Sequence, residues 1–182
     1  MFDLQGLNIY LIGMMGSGKS TIGSLLAKQL GYSFLDTDVT IEKLVGHNVT
    51  EIFQTSGEKE FRQIETKVLA EVSAHLRLVV ATGGGIAIER ENWNHLHQGL
   101  VIWLDPPVEV LVERLQGDTT RPLLANAALQ SKLATILAER SYRYGEADIQ
   151  ISIAQNLTPE EIIDRILAAI PTVLKAPIPI PD

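Results

Sequence analysis

Gly13-Met14-Met15-Gly16-Ser17-Gly18-Lys19-Ser20 brings glycines, a lysine and a hydroxyl into one short run that matches the pattern G-x-x-x-x-G-K-[ST] without a gap. Glycine lets backbone amides converge on one point, a following helix adds the partial positive charge of its N-terminus, and lysine adds a mobile full charge. Such a pocket suits phosphate oxygens. Gly16, Ser17, Gly18, Lys19, Ser20 and Thr21 are therefore the candidate contacts for a nucleotide triphosphate, with Lys19 reaching the β and γ phosphates and Ser20 placed to bind Mg2+. The competing account is a glycine-rich turn that merely lets strand and helix pack closely. Agreement between the full pattern and its flanking elements disfavours it.

A metal-bound phosphate calls for a second oxygen ligand. Asp36 and Asp38 follow the strand-like Phe34-Leu35, and parallel sheets present ligands at the carboxyl ends of their strands. Two carboxylates two residues apart can serve two centres, hydrated magnesium and an acceptor; the plainer alternative is a turn with a helix cap at Asp38. Val101-Ile102-Trp103-Leu104-Asp105 also ends an apolar run on an aspartate. Because Pro106-Pro107 and a helical stripe follow, Asp105 is expected to be an N-cap, not a metal ligand.

The arginines divide similarly. Arg62 lies four residues after Glu58 and three before Glu65 on a helical stretch, so its plain expectation is a surface ion pair, and Arg140 beside Glu139 reads alike. Arg114 and Arg121 bracket the polar stretch from Gly117 to Thr120, which could close over nucleotide or be an ordinary exposed loop. Gly83-Gly84-Gly85 ends an apolar run, where backbone lying against a ligand is favoured over a simple turn. His47, His75, His95 and His97 form no i, i+4 pair and are expected to be structural or solvated.

The elements that position these residues alternate. Strands are expected near Leu7–Ile12, Ser33–Asp36, Leu78–Thr82, Leu100–Leu104 and Asp148–Ile153. Helices are expected from Ile22 to Leu30 with Gly31 as cap, over Val39–Val45, over Glu58–Leu76, from the double proline to about Gln116, and over Ala127–Tyr144. Thr158-Pro159-Glu160-Glu161 opens a last helix, expected to stop before Pro171. Each parallel crossover needs a helix-sized connection, so the class is α/β, doubly wound, with helices on both faces of a five-stranded parallel sheet. Residues 1–170 form a single domain, and 171–182 an extended, proline-rich tail.

Composition narrows the function. The chain has 182 residues, a formal charge of −7 and 46% apolar residues, enough for one core and too acidic overall for nucleic acid as main partner. There is no cysteine, which excludes disulfides, thiolate metal sites and cysteine nucleophiles. No membrane span or signal peptide is legible, so a cytoplasmic protein is expected, and no long exposed apolar stripe asks for a partner, so a monomer is expected.

Taken together, Gly-Met-Met-Gly-Ser-Gly-Lys-Ser-Thr at 13–21, Leu-Asp-Thr-Asp at 35–38, Gly-Glu-Lys-Glu-Phe-Arg at 57–62, Ala-Thr-Gly-Gly-Gly at 81–85, Arg-Pro-Leu-Leu at 121–124, and Arg140 resemble the shikimate kinase family. The resemblance runs from Leu7 to about Ile170. It implies a three-layer P-loop NTPase fold with sheet order 2-3-1-4-5, a substrate-binding segment at about 38–65 and a lid at about 116–127. It also implies ATP-dependent phosphorylation of the 3-hydroxyl of shikimate, in aromatic amino acid biosynthesis, with Mg2+. Within it, Asp38 is the candidate base and hydroxyl contact, Arg62 and Arg140 hold the carboxylate, and Gly83, Gly84 and Gly85 line the ring. Lys19 and Arg121 act on the phosphates, Arg114 lies near the base of ATP, and Ser20 and Asp36 hold the metal. Arginine forks and aspartate are the groups a small hydroxy acid requires.

One departure stands out: the family pattern Arg-x-Pro-x-Tyr is Arg140-Ser141-Tyr142-Arg143-Tyr144 here, so Arg143 is a rival for the same carboxylate. Gln155 and Asn156 are the nearest candidates for adenine contact. Two other functions compete. A gluconate kinase shares the cradle and the strand-two aspartate but not the triglycine with Arg62. A nucleotide-dependent switch is disfavoured because no Asn-Lys-x-Asp guanine motif is present.

Overall fold

Strand residues of this chain alternate between two apolar faces, and that alternation builds the layers. The structure, a computed structural model, describes residues 4–116 and 129–174. Five parallel strands, β1 (Ile9–Ile12), β2 (Ser33–Asp36), β3 (Leu78–Ala81), β4 (Leu100–Asp105) and β5 (Ile149–Ser152), lie in the order 2-3-1-4-5. In register, Ile9 pairs with Val79 on one side and Leu100 on the other.

Ile9, Leu11, Val79, Ile102 and Leu104 face one layer, where α1 (Lys19–Leu30) contributes Ile22 and Leu26, and α8 (Pro159–Val173) contributes Ile162, Ile163, Ile166 and Ile170. Tyr10, Ile12, Val80, Val101 and Trp103 face the other, covered by α2 (Thr37–Val45), α3 (Val49–Thr55), α4 (Gly57–Ser73), α5 (Trp93–Leu96), α6 (Val108–Leu115) and α7 (Leu129–Tyr144). With both faces buried, the inner strands β1, β3 and β4 read as continuous apolar runs, as the sequence suggested, whereas the edge strands β2 and β5 are partly exposed. Among the described residues no helix is long and apolar enough to cross a membrane.

Three expectations need correction. Helix α8 continues past Pro171 to Val173: proline removes only its own amide bond to the preceding turn, and burial of Ile170 plus the Leu174 amide bonding to Ile170 O at 3.3 Å keeps the last turn in place. Of the residues expected to form the tail, 171–173 belong to α8 and Leu174 is its C-cap; residues 175–182 lie outside the described residues. Asp105 is not a cap, because α6 begins at Val108 with Pro107 as N-cap, and the Asp105 carboxylate instead accepts from Gln150 Nε2 of the neighbouring strand at 2.7 Å. Helix α3 was not expected at all, although Asn48 and Glu51 form a full capping box at its start. The lid region at about 116–127, with Arg121, lies outside the described residues but for Gln116.

Candidate active site

The turn from Gly13 to Gly18 joins β1 to α1 at the carboxyl end of the sheet. Gly16 and Gly18 have φ of 76° and 96°, left-handed values, and a Cβ on Gly16 would come within 2.9 Å of the Leu115 side chain. The glycines therefore set both the curvature of the turn and its contact with α6. No side chain caps the N-terminus of α1, so its first amides face the cavity in front of the turn. Lys19 Nζ folds over the turn and donates to Gly13 O at 2.9 Å, Met14 O at 2.8 Å and Ser17 Oγ at 3.4 Å. Arg114 Nη1 reaches back from α6 to Gly16 O and Ser17 O at 3.3 and 3.2 Å.

This cavity, about 430 Å³, is lined by residues Met15 to Ile22, Asp36, Asp38, Thr82, Gly84 and Arg114, and closed by Leu157, Pro159 and Ile162. Sequence reasoning misplaced the last contribution. Gln155 turns outward to Glu113 at 3.2 Å, and it is Leu157 and Pro159, apolar and suited to a flat base, that reach the cavity. Asp36 does two jobs through two oxygens: Oδ1 caps α2 by accepting from Asp38 N at 3.0 Å, and Oδ2 accepts from Ser20 Oγ at 2.6 Å. The cap thus sits at Asp36, not at Asp38. A hydroxyl and a carboxylate touching at the cradle edge are hard oxygen donors of the kind Mg2+ takes with one carboxylate and substrate phosphates. The residues present fit that ion.

A second cavity of about 130 Å³ adjoins the first and shares Met15, Asp38 and Gly84 with it. Its other lining residues are Val49, Thr50 and Phe53 from α3, Phe61, Arg62 and Glu65 from α4, Gly83 and Gly85 after β3, and Arg140 from α7. Every described residue expected to hold the organic acid is here. The ion pair expected of Arg62 is present too, but only its Glu58 side lies at the surface. Arg62 donates to Glu65 at 2.7 Å and Glu58 at 3.2 Å, and Glu65 is completely buried. Burial pulls the Arg62 pKa down, yet Glu65 and Glu58 beside it outweigh this and leave it raised. Burial raises the Glu65 carboxyl against the pull of Arg62, with Asp38 adding to the rise.

Glu65 was missed as a site residue. The signal was present: Phe61, Glu65, Val68, Leu69 and Val72 form the buried stripe of α4, and a carboxylate on an apolar stripe needs a partner. Arg143, the expected rival to Arg140, leaves the site. It donates to Glu146 at 2.9 Å and lies over the Tyr142 ring at 4.9 Å, while α7 runs unbroken to Tyr144 without the proline.

Comparison with known proteins fixes the family. The shikimate kinase family model matches residues 15–171. The chain is 56% identical over 172 residues to shikimate kinase of Rippkaea orientalis, covering 94% of this chain and 92% of that one. The chain belongs to the shikimate kinase family. Shikimate kinase of Synechococcus elongatus is 54% identical over 172 residues, covering 94% of this chain and 90% of the relative. Among solved structures, shikimate kinase from Acinetobacter baumannii in complex with shikimate superposes with a TM-score of 0.86 at 38% identity, covering 93% and 95% of the two chains. A gluconokinase from Sinorhizobium meliloti, at 22% identity and a TM-score of 0.59, shares the fold.

Proposed function

We propose that this chain transfers the γ-phosphoryl group of ATP to the 3-hydroxyl of shikimate. The observation that carries this is the pair of adjoining cavities: Asp38 and Gly84 line both, so an acceptor in the smaller one borders the phosphates in the larger one. In the smaller cavity Arg62 and Arg140 supply planar cationic donors for a carboxylate, Phe53 and Phe61 an apolar wall, and the triglycine a surface of backbone.

The 3-hydroxyl oxygen forms the new bond to the γ phosphorus, the bond from that phosphorus to the β-bridging oxygen breaks, and ADP leaves. Asp38 takes the hydroxyl proton. Lys19, the α1 amides and Arg114 gather charge on the phosphates, and alignment supplies most of the rate. Ser20 and Asp36 would hold Mg2+, which neutralises phosphate charge when bound. Arg121 is assigned to the phosphates on the motif alone. The reading also includes a cytoplasmic monomer, and small molecules as its partners, which the acidic composition favours over nucleic acid.

A coupled assay with ATP tests it: shikimate is expected to be turned over and gluconate not. Turnover of gluconate alone would overturn the reading. A methyl group on Gly85 would meet the Arg62 guanidinium, whose flexible end can swing aside. Gly85→Ala is therefore expected to raise the KM for shikimate by about tenfold while leaving that for ATP unchanged, since one charge-assisted contact is displaced, and to lower the Tm by less than Arg62→Ala does, since the guanidinium stays near Glu65.

A further inference from the structure

The Gly83–Gly85 turn has no side chains of its own, so whatever grips its peptide planes decides where its amides point. Gly83 N donates to the buried Thr37 Oγ1 at 2.9 Å, fixing the near end of the turn. Gly83 O and Gly85 O accept from Ile86 N and Ile88 N at 3.1 and 3.0 Å. The remaining carbonyl, Gly84 O, belongs to the peptide joining Gly84 to Gly85 and is gripped from α7 by two side chains. Tyr144 Oη donates to it at 2.6 Å and Arg140 Nη1 at 3.1 Å.

Tyr144 does not line the acceptor cavity; it stands behind it. Only 1% of the residue is exposed, its ring lies 5.7 Å from that of Trp103, and its hydroxyl is 3.9 Å from Met14 Sδ at the base of the phosphate cradle. A buried hydroxyl that close to a carbonyl is not there for packing, because phenylalanine would fill the same space. We propose that Tyr144 is a positioning residue for the acceptor: its hydroxyl locks the Gly84–Gly85 peptide and, through the carbonyl they share, sets the place of the Arg140 guanidinium. This rests on the acceptor cavity being the shikimate site.

The physical reason is degeneracy. A glycine–glycine peptide rotates freely unless held, and a guanidinium on a long side chain has several rotamers. One carbonyl held by Tyr144 removes both freedoms at once, so the organic acid meets a preorganised amide and fork. Burial holds the phenol above its ordinary pKa against the nearby Arg140, so it stays protonated and a donor at neutral and mildly alkaline pH.

Tyr144→Phe isolates the hydroxyl. Calorimetry with shikimate alone is expected to show about a five- to tenfold weaker Kd, the loss of one neutral hydrogen bond, and the KM for shikimate should rise alongside. The KM for ATP and the thermal midpoint should stay close to wild type. In a cycle with Arg140→Lys, adding Tyr144→Phe should weaken shikimate by less than about twofold further, because both act on one carbonyl. An unchanged Kd, equal effects on both substrates, or full additivity in the cycle would each overturn the proposal. If Tyr144→Phe lowers the thermal midpoint, the comparison moves to low temperature, where the variant is folded: faster hydrogen exchange at Gly85 N–H than in wild type is required there, and its absence refutes the brace. Arg62→Ala run in parallel separates the two layers. If it weakens shikimate while Tyr144→Phe does not, only the role of Tyr144 falls; if neither does, the acceptor site itself is misassigned.

Discussion

Lys19→Met is expected to lower kcat by about 10²–10³-fold, the usual loss on removing one preorganised donor from a transition state, while shikimate binds as before. Methionine matches the unbranched stem of lysine up to Cε and lacks the charged group and its donors. In the resting geometry Lys19 is 8% exposed and its ammonium is bonded to Gly13 O and Met14 O at 2.9 and 2.8 Å. Those carbonyls hold it in front of the cradle instead of in solvent, so the charge is already in place when a triphosphate arrives. Exchanging those bonds for phosphate oxygens sets the charge against what moves from the γ phosphate toward the leaving oxygen. Steady-state kinetics with both substrates varied checks this. A raised KM for ATP with an intact kcat would mean that Lys19 only binds, and would sink its catalytic role.

How far this site was visible beforehand depended on whether a residue's job is local. The cradle lies within one turn, so spacing alone revealed Gly16, Gly18, Lys19 and Ser20. The strands were equally clear, since a strand buried on both faces, such as Leu100–Asp105, leaves an apolar run in the sequence. Their order could not come from periodicity; it entered through resemblance to a family. Asp36 was assigned to the metal, and its second task as cap of α2 was given to Asp38, because both positions look alike until the helix start is fixed. Glu65 was hidden for a different reason. Its neighbour Arg62 at i−3 invites a surface ion pair, and only the packing of α4 against the sheet shows that the pair is buried. Tyr144 belongs to the same class, as its partner Gly84 is sixty residues away in sequence.

The electrostatics follow from this layout. In a chain of net charge −7, cations Lys19, Arg62, Arg114 and Arg140 all line the two adjoining cavities, interleaved with Asp36, Asp38 and Glu65. Interleaving matters because neighbouring cations repel one another, and the carboxylates between them offset that repulsion while leaving a positive well for two anionic substrates. Glu65 supplies the counter-charge that lets Arg62 stay half-buried and correctly aimed.

Arg62→Ala is accordingly expected to weaken shikimate by about 10²–10³-fold, the loss of a charge-assisted fork, with nucleotide affinity unchanged; calorimetry with each ligand alone checks it. Equal weakening of both would count against a carboxylate role. The same change leaves Glu65 buried beside Asp38 with its main counter-ion gone, which makes its charged form costlier. The folded-state pKa of Glu65 is already above its unfolded value, so its contribution to stability is fully present below the unfolded pKa and lost as pH rises through the folded one. Removing Arg62 moves the folded value further up. The fall in Tm relative to wild type should therefore be largest at neutral and alkaline pH and shrink on acidification, until both states hold the carboxyl protonated. Arg62→Ala/Glu65→Gln removes the charge outright and should recover the Tm at neutral pH without recovering shikimate affinity. A Tm deficit independent of pH, or one that Glu65→Gln fails to relieve, would show that Arg62 stabilises the fold by packing against Phe53 and Phe61, whose ring centroids lie 6.0 and 5.3 Å from its guanidinium, and not by neutralising Glu65.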